Sequence, residues 1–190
     1  MSRKLIAILI CTVFITTTAS AYQPLEQQQV AQNIATQARG LGLPESDPII
    51  TRAQELWWAA ENELNYDRDL IATTIYHEAW GDCSDRHREL VGAVIYNRVL
   101  SPLWPNSVYE VLAAPGQYSK ELVTPNSKAW NKARENSTIW AHCQAIAERV
   151  LNGEVVCPRN VVYQSNSVQG SVYETHKTSY STTYFCFGKS

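Results

Sequence analysis

The residue type that most invites a chemical reading is a carboxylate on an apolar helical stripe. Glu78 lies three residues after Ile75 and seven after Ile71, so a helix over this stretch carries all three on one face. A carboxyl set among aliphatic side chains is poorly solvated, and poor solvation raises its pKa. An acid that keeps its proton near neutral pH can protonate a departing sugar oxygen. The competing reading is a glutamate at a helix end, exposed or paired with Arg86 or Arg88. A second carboxylate, which most glycosidases require, does not stand out. Asp82 lies past the helix end, and Asp85 and Glu89 open the next helix, where they complement its dipole.

The elements that must position Glu78 follow from periodicity and punctuation. Residues 49–64 carry Ile50, Ala53, Leu56, Trp57, Ala60 and Leu64 at helical spacing. A further helix is predicted from about Asp67, as N-cap, to Trp80, with Gly81 as the stop. Another starts at Ser84, carries Leu90, Val91, Val94 and Ile95 on one face, and ends before Ser101-Pro102. Ser107 and Glu110 form a capping box for a short helix, and Pro115-Gly116 marks a turn. Residues 117–136 read as a long polar loop. Ser137 is a cap for a helix over Thr138–Asn152, closed by Gly153. Val155-Val156, Val161-Val162-Tyr163 and Thr183-Tyr184-Phe185 suit short strands.

Several of these segments resemble, in order, the SleB/CwlJ-type cell wall hydrolases. Tyr76-His77-Glu78-Ala79-Trp80-Gly81-Asp82 is similar to that family's Tyr-Gly-Glu-Ala-Arg-Gly-Glu signature. Ala93-Val94-Ile95-Tyr96-Asn97-Arg98-Val99 resembles its second helix. Ser101-Pro102-Leu103-Trp104-Pro105-Asn106-Ser107-Val108 resembles its Ser-Pro-x-Phe-Pro-x-Thr-Val segment. Pro115-Gly116-Gln117-Tyr118-Ser119 is similar to its Gly-Gln-Phe-Ser segment, and Ala145 to Gly153 to its Ala-x-x-x-Leu-x-Gly helix end. Val162-Tyr163-Gln164-Ser165-Asn166 resembles its apolar-Tyr-Phe-x-Asn strand. The resemblance spans roughly residues 66–188.

That resemblance implies an α+β, lysozyme-like fold, with a mainly helical lobe, a small strand-bearing lobe and a cleft between them. It implies peptidoglycan glycan strands as the substrate, and it places the catalytic acid on Glu78; no metal and no cofactor are expected from the residues themselves. It favours a lytic transglycosylase over a muramidase. A non-catalytic peptidoglycan-binding module and a zinc amidase are the alternatives, although His77, His87, His142 and His176 show no metal-ligand spacing. The chain departs from the signature at two places. His77 stands for glycine, and either tunes Glu78 or points away. Trp80 stands for arginine, and either stacks on a sugar or fills the core. Gln117, Tyr118, Ser119, Tyr163 and Asn166 are the expected substrate contacts, and Asn97 is expected to be a buried hydrogen-bond anchor.

Composition bounds the setting. Arg3 and Lys4, the apolar run Leu5–Ile15 and the small-x-small end Ala19-Ser20-Ala21 read as a signal peptide over residues 1–21. Export to the cell wall, with no stable membrane anchor after cleavage, is the expectation. Residues 22–48, Gln- and Ala-rich and broken by Gly40, Gly42, Pro44 and Pro48, read as a helical arm and linker before a catalytic domain over 49–190. The net charge of -2 offers no basic stripe for nucleic acid. Cys83, Cys143, Cys157 and Cys186 suggest disulfides in an exported chain. Cys157–Cys186 is the favoured pair, closing a loop worth roughly 3–4 kcal/mol in the chain-entropy picture, which leaves Cys83–Cys143.

Overall fold

A computed structural model describes residues 22–188; the expected signal peptide lies outside them. The described residues form two compact units that divide between Asn65 and Tyr66.

The first unit contains α1 (Gln23–Gly40) and the N-terminal part of α2 (Pro48–Glu78). Proline at the first turn suits a helix start, because the N–H it lacks would have no partner there. Asp47 completes the cap, its Oδ1 accepting the Ile49 N–H at 3.0 Å. Ile34, Ala35 and Ala53 form a small core with Val30 and Ile49 packed on it. Gln28 Nε2 donates to Glu61 Oε2 at 2.6 Å.

The second unit begins within α2. One continuous helix replaces the two expected over 49–80, and Asp67 is a buried residue inside it rather than its cap. α3 (Asp85–Val99), α4 (Val108–Ala113), a 3-10 turn (Lys120–Val123), α5 (Lys128–Arg134) and α6 (Ser137–Leu151) follow. Ser84 caps α3 and Ser107 caps α4, as their side-chain acceptors predict. Residues 117–136 are not a plain loop. Ser119 caps the 3-10 turn and Ser127 caps α5, a capping chemistry that short polar runs conceal. Asn136, rather than Ser137, caps α6 by accepting the Thr138 and Ile139 N–H groups.

Three strands close the chain: β1 (Val161–Ser165), β2 (Val172–Lys177) and β3 (Thr182–Phe187). Their order is β1-β3-β2, with both pairings antiparallel. Val155-Val156 forms no strand, and β2 was not evident because Val172-Tyr173-Glu174-Thr175-His176-Lys177 has only one buried-type aliphatic residue. The architecture is α+β, of the lysozyme-like kind expected.

α3 is the spine of this unit. It is buried along most of its length, and Gly92 sits where it meets α2 and α6. A Cβ at Gly92 would come within 2.9 Å of Val150 Cγ2 and 3.4 Å of Ile71 and Ile75 methyls. Leu90, Val91, Val94 and Ile95 share the core with Leu70, Ile71, Ile75, Ile146 and Val150. The sheet hangs from the same helix. At one end, His87 packs edge-on to Phe185 of β3, with centroids 5.5 Å apart, and Arg86 donates to Glu174 of β2. At the other, Asn97 Nδ2 donates to the Pro158 and Val161 carbonyls, both at 2.9 Å, and Arg98 Nε to the Val162 carbonyl at 2.8 Å.

The expected disulfides are absent among the described residues, where Cys83, Cys143, Cys157 and Cys186 are free thiols. Cys157 is turned toward α3, its sulfur 3.7 Å from Asn97 Nδ2. Cys186 is fully buried within β3, opposite Tyr163. Burial pushes the Cys143 thiol up to about 11, which keeps it protonated and inert.

Candidate active site

Glu78 is the last residue of α2. The chain leaves the helix through Gly81, whose φ of 82° lies in the left-handed region that favours glycine. Asp82 then fixes the exit. Its Oδ2 accepts the Ser179 N–H at 2.7 Å and the Ser179 hydroxyl, tying the loop to the β2–β3 hairpin. Those bonds hold the Asp82 carboxyl below its ordinary range.

The Glu78 side chain is open to solvent, yet its pKa is raised, and loss of hydration is the largest cause. Both conditions hold together when protein crowds a carboxyl from the sides and leaves one approach free. Two influences oppose the rise: the nearby charge of His77, then a hydrogen bond from Gln164 Nε2 to Glu78 Oε2 at 3.3 Å. His77 therefore does both things weighed for it. Its charge acts on Glu78, while its ring Nε2 lies 2.9 Å from the Ala129 carbonyl, a contact that requires an N–H there.

Gln164 is a residue that sequence reasoning missed as a site member. It was visible only as a polar residue at an aromatic place in the strand motif. β1 carries it, and the α3 anchors at Val161 and Val162 set where β1 lies. Its Oε1 is buried and has no partner. Two more orphaned polar atoms are the Tyr118 Oη and Arg98 Nη1. The Glu78 charge acts on Tyr118, and burial pushes the Tyr118 phenol up to about 12. Arg98, 3% exposed, stacks 4.4 Å over Trp104 and lies 5.8 Å from the Tyr118 ring. Tyr163 meets Trp104 edge-on at 6.4 Å.

Two groups of contacts, Glu78 with Gln164 and Tyr118 with Arg98, Trp104 and Tyr163, are thus linked by the charge of Glu78 acting on Tyr118. Trp80 is 46% exposed and stacks on Tyr76, with centroids 5.1 Å apart, so it fills no core gap. Ser119 is spent on capping, its Oγ accepting the Glu121 N–H. Gln117 is half-buried, with its backbone N–H on the Ala114 carbonyl. Asn166 is exposed just past β1. Asn97 is buried, and its Nδ2 donates to the Pro158 and Val161 carbonyls at the start of β1.

A family model described as Cell Wall Hydrolase matches residues 84–187. The match starts at the N-cap of α3 and covers the rest of the second unit to the end of β3, with Glu78 just upstream of it. Neither the curated proteins nor the solved structures yield a match.

Proposed function

Because the chain belongs to the SleB-type cell wall hydrolase family, we propose that it is an exported enzyme that cleaves the glycan strand of peptidoglycan as a lytic transglycosylase, with Glu78 as its single acid and base. The observation that carries this reading is the state of Glu78. Its carboxyl is reachable from solvent, raised in pKa by lost hydration, and acted on by the charge of His77 rather than by that of a second carboxylate.

The chemistry asks for little more. Protonated Glu78 gives its proton to the oxygen that bridges N-acetylmuramic acid C1 and N-acetylglucosamine. The C1–O bond breaks, and its electron pair leaves with that oxygen. Glu78, now a carboxylate, takes the proton of the muramic acid 6-hydroxyl as O6 bonds to C1. A 1,6-anhydro ring forms, Glu78 is again an acid, and no water is consumed.

Two-carboxylate hydrolysis needs a partner about 5–9.5 Å away. The acidic residues that follow it in the chain up to the middle of α3 are occupied. Asp82 holds Ser179, Asp85 bonds Arg88 and His142, and Glu89 bonds Arg149. This supports the single-acid route.

The test is digestion of purified peptidoglycan by the chain lacking residues 1–21, wild type beside Glu78→Gln, with product masses recorded. Anhydro products, each lighter by one water than the hydrolysed sugar, are expected from the wild type and none from the variant. Hydrolysed ends would replace the transglycosylase by a muramidase. Wall cleavage untouched by the substitution would remove Glu78 from the chemistry. An absence of cleavage by the wild type would leave a binding module.

A further inference from the structure

We infer that Gln164 is a positioning residue for Glu78: its carboxamide decides which carboxyl oxygen carries the transferable proton. The inference rests on the reading of Glu78 as the acid. Among the described residues, Gln164 makes the one side-chain hydrogen bond to that carboxyl, from Nε2 to Oε2 at 3.3 Å. An oxygen that accepts an N–H has that lone pair occupied. The proton of the neutral acid therefore sits on the other oxygen, Oε1, which no protein group occupies. Once the proton has left, the same N–H meets a full carboxylate, and a hydrogen bond to an ionised acceptor is the stronger kind. One donor thus serves both halves of an acid/base cycle without moving.

Against the ionised carboxyl the amide has one favourable orientation. Rotated by half a turn, Gln164 would set its own oxygen against the carboxylate and leave Nε2 where Oε1 now lies, buried and without a partner. The strand that carries it is pinned from α3, by Asn97 to Val161 and by Arg98 to Val162. The similar strand motif of the family has phenylalanine at this place, so the contact belongs to this chain's own residue. Removal of an N–H that favours the charged form raises the pKa of the carboxyl, in line with the direction in which Gln164 acts on Glu78.

The experiment is a pH profile of kcat/KM on isolated glycan strands, whose basic limb reports the acid of the free enzyme. Wild type, Gln164→Leu and Gln164→Glu are compared with Glu78→Gln. Leucine keeps the bulk and removes the donor, and the basic limb is expected to rise by about half to one pH unit, with kcat down on the order of tenfold and KM little changed. Glutamate keeps the size and sets a like charge against Glu78, so its limb is expected to lie higher still, by about one to two units over wild type. A merely structural residue would lower kcat and thermal stability and leave the limb in place in the leucine variant; that result overturns the inference. If the leucine variant does not fold, Gln164→Met, of similar length and likewise without the donor, is read in its place. An active Glu78→Gln enzyme is a separate failure, of the reading beneath this one.

Discussion

Asn97 tests how the sheet is held, and its worth follows from its bonds. The side chain is 3% exposed. Its Nδ2 donates to two carbonyls, of Pro158 and Val161, both at 2.9 Å. Asn97→Asp keeps shape and volume but turns a two-fold donor into an acceptor facing two acceptors. A buried carbonyl deprived of its donor costs about 1–3 kcal/mol. Two of them, partly relieved by water entering at the strand start, give about 3 kcal/mol. In a chain of this length that lowers Tm by roughly 6–12 °C. Asn97→Ala removes the same bonds without repulsion and is expected to cost less. Urea melts followed by circular dichroism measure both, and an unchanged m-value confirms that the same surface is exposed on unfolding. Gln164 lies three residues beyond Val161, so the aspartate variant is also expected to lose wall-cleaving activity at temperatures where it is still folded. A loss of stability under about 1 kcal/mol would refute the view that α3 suspends the sheet by these bonds.

Further outcomes follow from single atoms. Because folding raises the Glu78 pKa, the folded state holds that proton more tightly. Its contribution is fully present below the ordinary glutamate range and is lost as pH rises through the folded value. Glu78→Gln is therefore expected to melt higher than wild type at pH 7 and not at pH 4, which thermal melts at the two pH values decide. His87 behaves in the opposite sense. It is 2% exposed, its two ring nitrogens have no partner, and burial, then the charges of His176 and Arg88, lower it to about 4. The unfolded chain takes this proton near pH 6.5 and the folded one does not, so stability falls between pH 6.5 and 4 by at most about 3 kcal/mol. His87→Phe is expected to flatten that slope in acid titrations of stability. Gly92→Ala sets a methyl 2.9 Å from Val150 Cγ2 and should cost about 1–2 kcal/mol in urea melts even after the gain in helix propensity. Tyr118→Phe removes a buried hydroxyl without a partner; unchanged or higher Tm together with a lower kcat/KM would show that substrate is what completes it.

The sequence carried the parts of this fold that depend on local chemistry. Ser84 and Ser107 announce α3 and α4 because a hydroxyl before an apolar run has one obvious use, the orphan N–H groups of a helix start. The Ile71, Ile75 and Glu78 stripe was legible for the same kind of reason, since helical spacing alone puts the three on one face. What stayed hidden depends on partners far along the chain. Asp67 has the residue type of a cap, yet it is buried inside α2. Nothing between 60 and 70 breaks the helix, so a capping residue there had no end to cap. The capping use of Ser119 was equally hidden, because it depends on a 3-10 segment that a polar run does not announce. Gln164 gave no sign of its role, because the role consists of a partner 86 residues away. The cysteines erred in the same way, since an even count fixes no geometry and Cys157 faces Asn97.

The site is held from two directions. Glu78 takes its position from one end of a long helix, while the residue that hydrogen-bonds it comes from a strand whose place is set by α3. The polar bonds from Asn97 and Arg98 reach β1 at Val161 and Val162, and the side chain that meets Glu78 follows two residues later. Aliphatic packing around Gly92 fixes α3 against α2. The distance between acid and amide is thus the difference between two independently fixed placements, one by close packing and one by hydrogen bonds. A packed interface tolerates little displacement, and a buried polar anchor fixes direction as well as distance. A substitution at Gly92 and one at Asn97, neither of which touches Glu78, should therefore change its acidity in the same assay that reports Gln164. Random error in either placement would weaken a 3.3 Å contact before it unfolded the chain.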